Sequence, residues 1–324
     1  MSRWCEVAKR PHAGSASSRH RNKRGTRPGK RPVCEYMPPG RHKGMRSLQV
    51  FAATALLSAG PLAAQGSPPS PDSLAGIAER GRLLAEYDQA AWHATDAVAL
   101  LNPGDDEIRG YIAQRRDGKW TVSFGRMSDD GNAYLVAYDA RENASQSNGF
   151  VVTRHAPARR ETGDLAGAAR ALDVTRTDFG TPTRSYNSAV IPAGNGEWFV
   201  YLVPAQTRPG IFPLGGDVRY RVSSDGRNIK AKRRLHNTIL EFATPKAPGS
   251  SVLTAKMHTA VLDNVPEDTD VFHVLAREPK VPEDVATDTF IYRIDVSGKV
   301  VAFGLTKDVI RPDGTMALDS ASKR

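Results

Sequence analysis

The 324-residue chain reads as an α+β protein, an N-terminal helix followed by a mostly antiparallel β-sheet of meander and hairpins. Apolar residues recur at helical spacing from residue 73 and again, briefly, after Asp164. From Ile108 the pattern changes to period two, and Asp-Gly or Asn-Gly dipeptides separate the alternating runs. Such dipeptides supply the positive φ angles of tight hairpin turns. Strands also follow one another without the long crossovers that parallel pairing needs, so antiparallel pairing is expected throughout.

Asp72 or Ser73 caps the first helix, Leu74, Ile77, Leu84 and Ala91 fall near one face, and Asn102-Pro103-Gly104 stops it. Strands at 111–112, 120–124 and 134–138, parted by Asp117-Gly118 and Asp130-Gly131, predict a three-stranded meander. Residues 150–153 add a fourth strand, and 164–172 form a short helix with Leu165, Ala168, Ala169 and Leu172 on one face. The remainder reads as strand at 189–191, 198–203, 218–222, 229–242, 252–262, 271–275, 290–294 and 300–303. Turns are expected at Gly194-Asn195-Gly196, Asp225-Gly226 and Ser297-Gly298. Two lobes, a helix-plus-meander lobe at 73–175 and a β-rich lobe at 185–310, fit this pattern, as does one continuous sheet. Residues 311–324 lack periodicity and read as a flexible tail.

Upstream of the helix the chain reads as an export signal. Met45-Arg46 gives a short positive region, residues 50–59 are apolar apart from Thr54 and Ser58, and Gly60-Pro61 precedes the small-residue site Leu62-Ala63-Ala64. Cleavage between Ala64 and Gln65 is expected, and the protein is read as secreted or periplasmic. The apolar run is shorter than the roughly 20 residues that span a bilayer, and no transmembrane segment is expected in the mature chain. Residues 65–72 are a Pro/Ser-rich tether.

Residues 1–44 carry twelve Lys or Arg and two Glu, a net of +10 that equals the net charge of the whole chain, leaving the predicted mature chain at −1. They read as a disordered basic leader, or as the product of a start codon set too far upstream. The run at 19–31 has the composition of a nucleic-acid arm, but an export signal follows it, so no nucleic-acid partner is expected. The two cysteines, Cys5 and Cys34, both precede the cleavage site. The mature domain therefore has no disulfide, cysteine–zinc site or cysteine nucleophile.

The chain contains no G-x-S-x-G, H-E-x-x-H, Walker loop or G-x-G-x-x-G after a strand. Two constellations remain. In the first, Arg219 and Arg221 alternate on one strand and face Lys230, Lys232 and Arg234 on the next, with Arg221 expected opposite Lys230 and Arg219 opposite Lys232. Like charges opposite one another oppose pairing, so the strip reads either as an anion-binding surface or as a solvated face neutralised by acids such as Asp217 or Glu241. Its partner would be an anionic envelope component or polysaccharide. In the second, His258 and His273 flank the acid-rich turn holding Asp263, Glu267, Asp268 and Asp270. There two imidazoles and a carboxylate suit a divalent ion or a general base with its orienting acid. Their spacing matches no ligand signature, and no resident metal or cofactor is expected. His93, His155 and His236 read as packing or surface residues.

The sequence thus predicts an exported binding or envelope-associated protein without catalysis of its own, recognising an anionic ligand through the basic hairpin. The alternatives are an exported hydrolase using His258, Asp263 and His273, with or without a metal, and an assembly protein pairing through strand edges. Oligomeric state is not readable from the sequence.

Overall fold

The computed structural model describes residues 71–145, 149–243 and 255–310. The basic leader, the signal peptide, most of the tether, the start of the strand expected at 252–262 and the tail at 311–324 lie outside the described residues.

Helix α1 (Pro71–Ala99) is 29 residues long, about 43 Å at 1.5 Å per residue. Its expected face is its buried one: Leu74, Ile77, Leu84 and Ala91 are all buried. It ends where Asn102, at φ 48°, turns the chain before Pro103. Strands β1 (Gly110–Arg116), β2 (Lys119–Met127), β3 (Tyr134–Glu142) and β4 (Phe150–Glu161) then form an antiparallel sheet in the order β1-β2-β3-β4. Asp117 and Gly118 both take positive φ in its first turn, as the dipeptide predicts.

Both faces of this sheet are covered. Trp120, Val122 and Phe124 pack with Leu84, Tyr87 and Ala91 of α1. On the opposite face Ile112, Tyr134 and Val136 pack with Leu165, Ala168 and Leu172 of α2 (Asp164–Phe179). The same two cores continue into the next sheet, β5 (Tyr186–Gly194), β6 (Glu197–Pro204), β8 (Val218–Val222) and β9 (Ile229–Arg234), through Ile191 and Tyr201 on one side and Val200 and Tyr220 on the other. A two-stranded ribbon pairs β7 (Ile211–Gly215) with β10 (Ile239–Ala243). A last sheet has the order β11-β12-β13-β14, from β11 (Lys256–Thr259), β12 (Glu283–Ala286), β13 (Phe290–Ile294) and β14 (Val300–Leu305). Helix α3 (Asp268–Ala276) links β11 to β12, and the four-residue α4 (Thr306–Val309) closes the described chain.

The α+β class expected from the sequence is the one observed, with three corrections in the second half. The strand expected at 271–275 is part of α3. Val-Phe-His-Val-Leu has the β-branched and aromatic bias of a strand, but a reciprocal capping box between Glu267 and Asp270 starts a helix, which buries Val271 and Val274 against Leu74 and Ile77. The long strand expected at 229–242 is two strands belonging to different sheets. Finally, β11 and β12 pair in parallel, because α3 supplies the crossover that the misread strand had concealed.

Helix α1 unites the halves: its N-terminal turns pack on α3 and its later turns on the first sheet. The contact with α3 is close. A β-carbon at Gly81 would come within 2.4 Å of the Val271 Cβ and 2.6 Å of the Asp268 carbonyl oxygen, whereas one at Gly76 would meet only the far end of Arg80, at 3.3 Å. Gly81→Ala is expected to lower unfolding free energy by about 1–3 kcal/mol through overpacking. Gly76→Ala should leave it unchanged or raise it by up to about 1 kcal/mol. Urea midpoints of the two variants, at constant m-value, check the pair.

Candidate metal centre

Three segments far apart in sequence converge on one buried point. His236 follows β9, His258 lies on β11, and Asp270 is in the first turn of α3. Asp270 Oδ1 lies 2.9 Å from His236 Nε2 and 3.2 Å from His258 Nε2. The three atoms fall within 4.8 Å of one another. Two ligands at the zinc–nitrogen or zinc–oxygen distance of about 2.0–2.1 Å in a tetrahedron are separated by about 3.3 Å, so the spacing suits a shared ion.

Local structure fixes each of these groups. The Gly215-Gly216 pair, at φ 86° and 69°, turns the chain into Asp217. A β-carbon on Gly215 would stand 2.2 Å from the Thr238 carbonyl oxygen and 3.0 Å from the His236 Cβ, so only glycine lets the two segments meet. The Leu235 amide donates to the Asp217 carbonyl at 3.1 Å, holding the next residue, His236, beside Asp217. His258 lies on the parallel pair, where Lys256 is opposite Glu283 and His258 opposite Val285. This register brings the Glu283 carboxylate to its ring. Asp270 accepts the Glu267 amide proton on Oδ2 at 2.8 Å, which leaves Oδ1 to face the imidazoles.

Both imidazoles are oriented from behind. His236 Nδ1 lies 2.8 Å from Asp217 Oδ1, and His258 Nδ1 lies 2.9 Å from Glu283 Oε1. A carboxylate on Nδ1 sets the tautomer that leaves the Nε2 lone pair free, the arrangement characteristic of metal-binding histidines. Among the described residues His236 Nε2, His258 Nε2 and Asp270 Oδ1 have no hydrogen-bond partner. When the rings carry a second proton the same contacts pair each imidazolium with the Asp270 carboxylate, and when they do not the three atoms are left as bare donors facing one another.

The charge balance is met either by a dication between neutral imidazoles or by protonation of both rings. Asp217, Asp270 and Glu283 are at most 1% exposed and Arg277 is also 1% exposed. Arg277 binds Glu283 Oε2 and donates to the Val281 carbonyl at 2.5 Å. Three carboxylates against one guanidinium leave a deficit of two positive charges if both imidazoles are neutral, and uncompensated buried charge is costly. Without an ion the histidines must supply that charge. Burial opposes protonation of His236, but Asp270 and Asp217 outweigh it and raise its pKa to about 11. His258 is likewise raised, to about 9, by Asp270 and Glu283 against the cost of burial. Asp270, despite complete burial, is held far below the usual carboxylate range by the two imidazoles.

A second tier of pairs encloses the centre. Arg233 binds Glu267 and, at 2.7 Å, Asp263. Asp268 receives Arg219, the Tyr201 hydroxyl at 2.6 Å and Arg80 Nε at 3.0 Å. Of the sequence candidates, His258 and His273 are buried and both approach Glu283, His273 Nε2 at 3.9 Å from its Oε2. They meet through a strand and a helix rather than two returning strands. Burial depresses the His273 pKa to about 4, which keeps the ring neutral. Asp263 is half-exposed and serves Arg233, apart from the three converging atoms. His236, read from the sequence as a packing or surface residue, is buried and is one of the three. Nothing in its local sequence marks it; only the Gly-Gly-Asp turn that brings Asp217 to it is distinctive.

The basic hairpin differs from the expected register. Arg219 stands opposite Arg233, Tyr220 opposite Lys232 and Arg221 opposite Ala231, with a shift between Arg221 and Val222 that leaves Lys230 as an extra residue. The Ser223–Asn228 turn, closed by the Ser223 amide on the Asn228 carbonyl at 2.9 Å, sets this pairing. The cations therefore divide between the two faces. Arg219 lies over Phe199 at 5.0 Å and binds Asp268, Arg221 binds Glu197 at 2.7 Å, and Lys232 binds Asp178 at 2.7 Å. Lys230 and Arg234 are exposed, and Arg234 donates to the Asn237 carbonyl at 2.8 Å. The acids that meet the strip are thus not the expected Asp217 and Glu241: Asp217 holds His236, and Glu241 holds Arg184 at 3.0 Å.

A cavity of about 1270 Å³ lies elsewhere, along the middle of α1, walled by the first sheet, the segment around β7 and one side of α3. Asp88 lines it with no ion pair or hydrogen bond among the described residues, and burial raises its carboxyl pKa to about 6. The folded-state value exceeds the unfolded one, so folding disfavours the ionised form. The penalty is absent below about pH 4, grows as pH rises and is complete above pH 6. Asp88→Asn is therefore expected to stabilise the protein by about 1–3 kcal/mol at pH 8 and by nothing at pH 4; denaturant unfolding at both pH values checks it.

No protein-family model, curated protein or solved structure matches this chain.

Proposed function

We propose that this is an exported metal-binding protein whose second half is built around one divalent transition-metal ion held by His236 Nε2, His258 Nε2 and Asp270 Oδ1. The observation that carries the reading is that these three buried donor atoms lie within 4.8 Å of one another, while each imidazole is fixed from behind by a carboxylate on its other nitrogen. Two imidazoles and one carboxylate suit Zn²⁺ and its neighbours in the first transition row rather than Ca²⁺ or Mg²⁺. The donor atoms have almost no contact with solvent, and because three protein donors are one short of the four that close a structural zinc site, the fourth position falls to a water or another small ligand. This centre is a better-supported binding site than the basic hairpin, where three of the five cations are already paired with carboxylates.

Zn²⁺ titrated into chelator-treated protein is expected to bind at one ion per chain by calorimetry, and Co²⁺ in its place should give visible d–d absorption. Single His236→Gln, His258→Gln or Asp270→Asn substitutions should abolish both signals. Glu283→Gln, which keeps all three ligands, should weaken binding by about 10–100-fold. Stoichiometric binding that persists in all three ligand variants, or no binding by the parent protein, overturns the reading.

Export is supported by the apolar run at 50–59 and the small-residue site at Ala64. N-terminal sequencing of the native protein from cell extract and medium is expected to find a chain beginning at or near Gln65. A chain still carrying residues 19–31 overturns it.

A further inference from the structure

Residues 256–305 form a module with a core of its own. Its sheet, β11 to β14, shares no strand pairing with the other sheets among the described residues. Its apolar cluster is built on Val271, Val274, Val285, Tyr292 and Ile294, and the buried residues it takes from outside the module are Leu74, Ile77 and Ala78 at the start of α1. To the other two cores the module contributes Phe272 alone. Its contact with the sheet of β5, β6, β8 and β9 is therefore mainly polar: Arg219 and Tyr201 reach Asp268, Arg233 reaches Asp263 and Glu267, and His236 reaches Asp270.

The three candidate metal ligands divide along the same boundary. His258 and Asp270 belong to the module. His236 belongs to the body, since it follows β9, and its orienting acid, Asp217, lies between β7 and β8. Neither side holds a site alone, because zinc centres use at least three protein donors and the module supplies two and the body one. We propose that the ion is a clasp, whose occupancy sets how tightly the module of residues 256–305 is held to the rest of the chain. The proposal rests on the metal-centre reading above. An ion that binds only the closed arrangement stabilises it by mass action, so an opening that parts His236 from His258 and Asp270 is suppressed by the factor by which the ion saturates the site. Pairs such as Arg233 with Asp263, partly exposed on both sides, hold the boundary weakly by comparison.

Amide hydrogen exchange on the full chain, read by mass spectrometry with calorimetry on the same samples, tests the clasp. In chelator-treated protein the amides of α3, β12 and β13 are expected to exchange faster than those of β1, β2 and β3. Free Zn²⁺ at about 100 times its Kd should slow the module's amides about 100-fold and change the meander far less. His236→Gln, which leaves both module ligands in place, should show the chelated pattern with and without Zn²⁺. The chelated parent needs no substitution, so the comparison survives a variant that does not fold. If calorimetry shows zinc binding while the two regions exchange at one rate without zinc, or slow by one factor with it, the ion adds to global stability alone; the clasp is then overturned and the metal centre stands. Zinc that still slows the module in His236→Gln by the parent's factor also overturns the clasp. If calorimetry shows no binding, the metal centre itself fails and the clasp with it.

Discussion

The constraint on which the second half of the molecule depends is electrostatic: three buried carboxylates, two imidazoles and one guanidinium must sum to neutrality in a medium that screens poorly. Asp217, Asp270 and Glu283 come from a glycine turn, a helix N-terminus and a parallel strand; the last two also share the apolar core of Val271, Val274 and Val285, whereas the turn that carries Asp217 adds no residue to it. Each carboxylate faces an imidazole or Arg277, and these pairings tie the three segments to one another. Breaking one pair leaves the remaining charge without compensation, and for this reason the cluster acts as a unit rather than as a sum of contacts.

Around that unit the charges fall into tiers. The innermost carboxylates meet imidazole, Arg277 and one backbone amide; the next, Glu267 and Asp268, meet Arg233, Arg219 and Arg80; the outermost, Asp263, meets Arg233 at the surface. The arginines are long enough to keep part of each stem in water while the guanidinium reaches a buried acid. This accounts for the concentration of basic residues on β8 and β9 without an external anion: Arg219 and Arg233 stand opposite each other because acids of the α3 N-terminus lie between them and the interior. Like charges across a ladder destabilise it by at most about 1 kcal/mol, less than an uncompensated buried carboxylate.

Sequence periodicity made the first half of the fold legible and much of the second half obscure. The apolar face of α1 and the meander turns at Asp117-Gly118 and Asp130-Gly131 are local signals, and local signals survive packing. At 271–275 the local signal pointed the wrong way: five residues of strand-like composition become helix because a capping box and two valines packed on α1 outweigh propensity. Part of the centre was visible, since His258, Asp270 and His273 stood out as imidazoles around an acid-rich turn. His236 was not, because its partnership with His258 crosses 22 residues and two sheets, and its orienting acid, Asp217, lies across a glycine turn whose purpose appears only in three dimensions. A metal site without a sequence signature is invisible until topology brings its ligands together.

Helix α3 is where the candidate metal centre and the cavity along α1 meet. Its first turn presents Asp270 to the imidazoles, and Phe272 and His273, a few residues on, line the cavity. Glu283 belongs to both: one oxygen fixes His258 and the other lies 3.9 Å from His273. A helix of nine residues is too short to hold its own shape in water, so its position depends on what grips it from outside. Those grips are α1 at Gly81, the Arg80 and Arg219 guanidiniums on Asp268, and the two histidines on Asp270. Together with Val271 and Val274 in the apolar core, these contacts fix both the position of the helix and its rotation about its own axis, and with them the placement of Phe272 and His273. Asp270 and His273, three residues apart, share one face of this helix, and Glu283 reaches both His258 and His273, so the cluster that orients His258 also constrains His273.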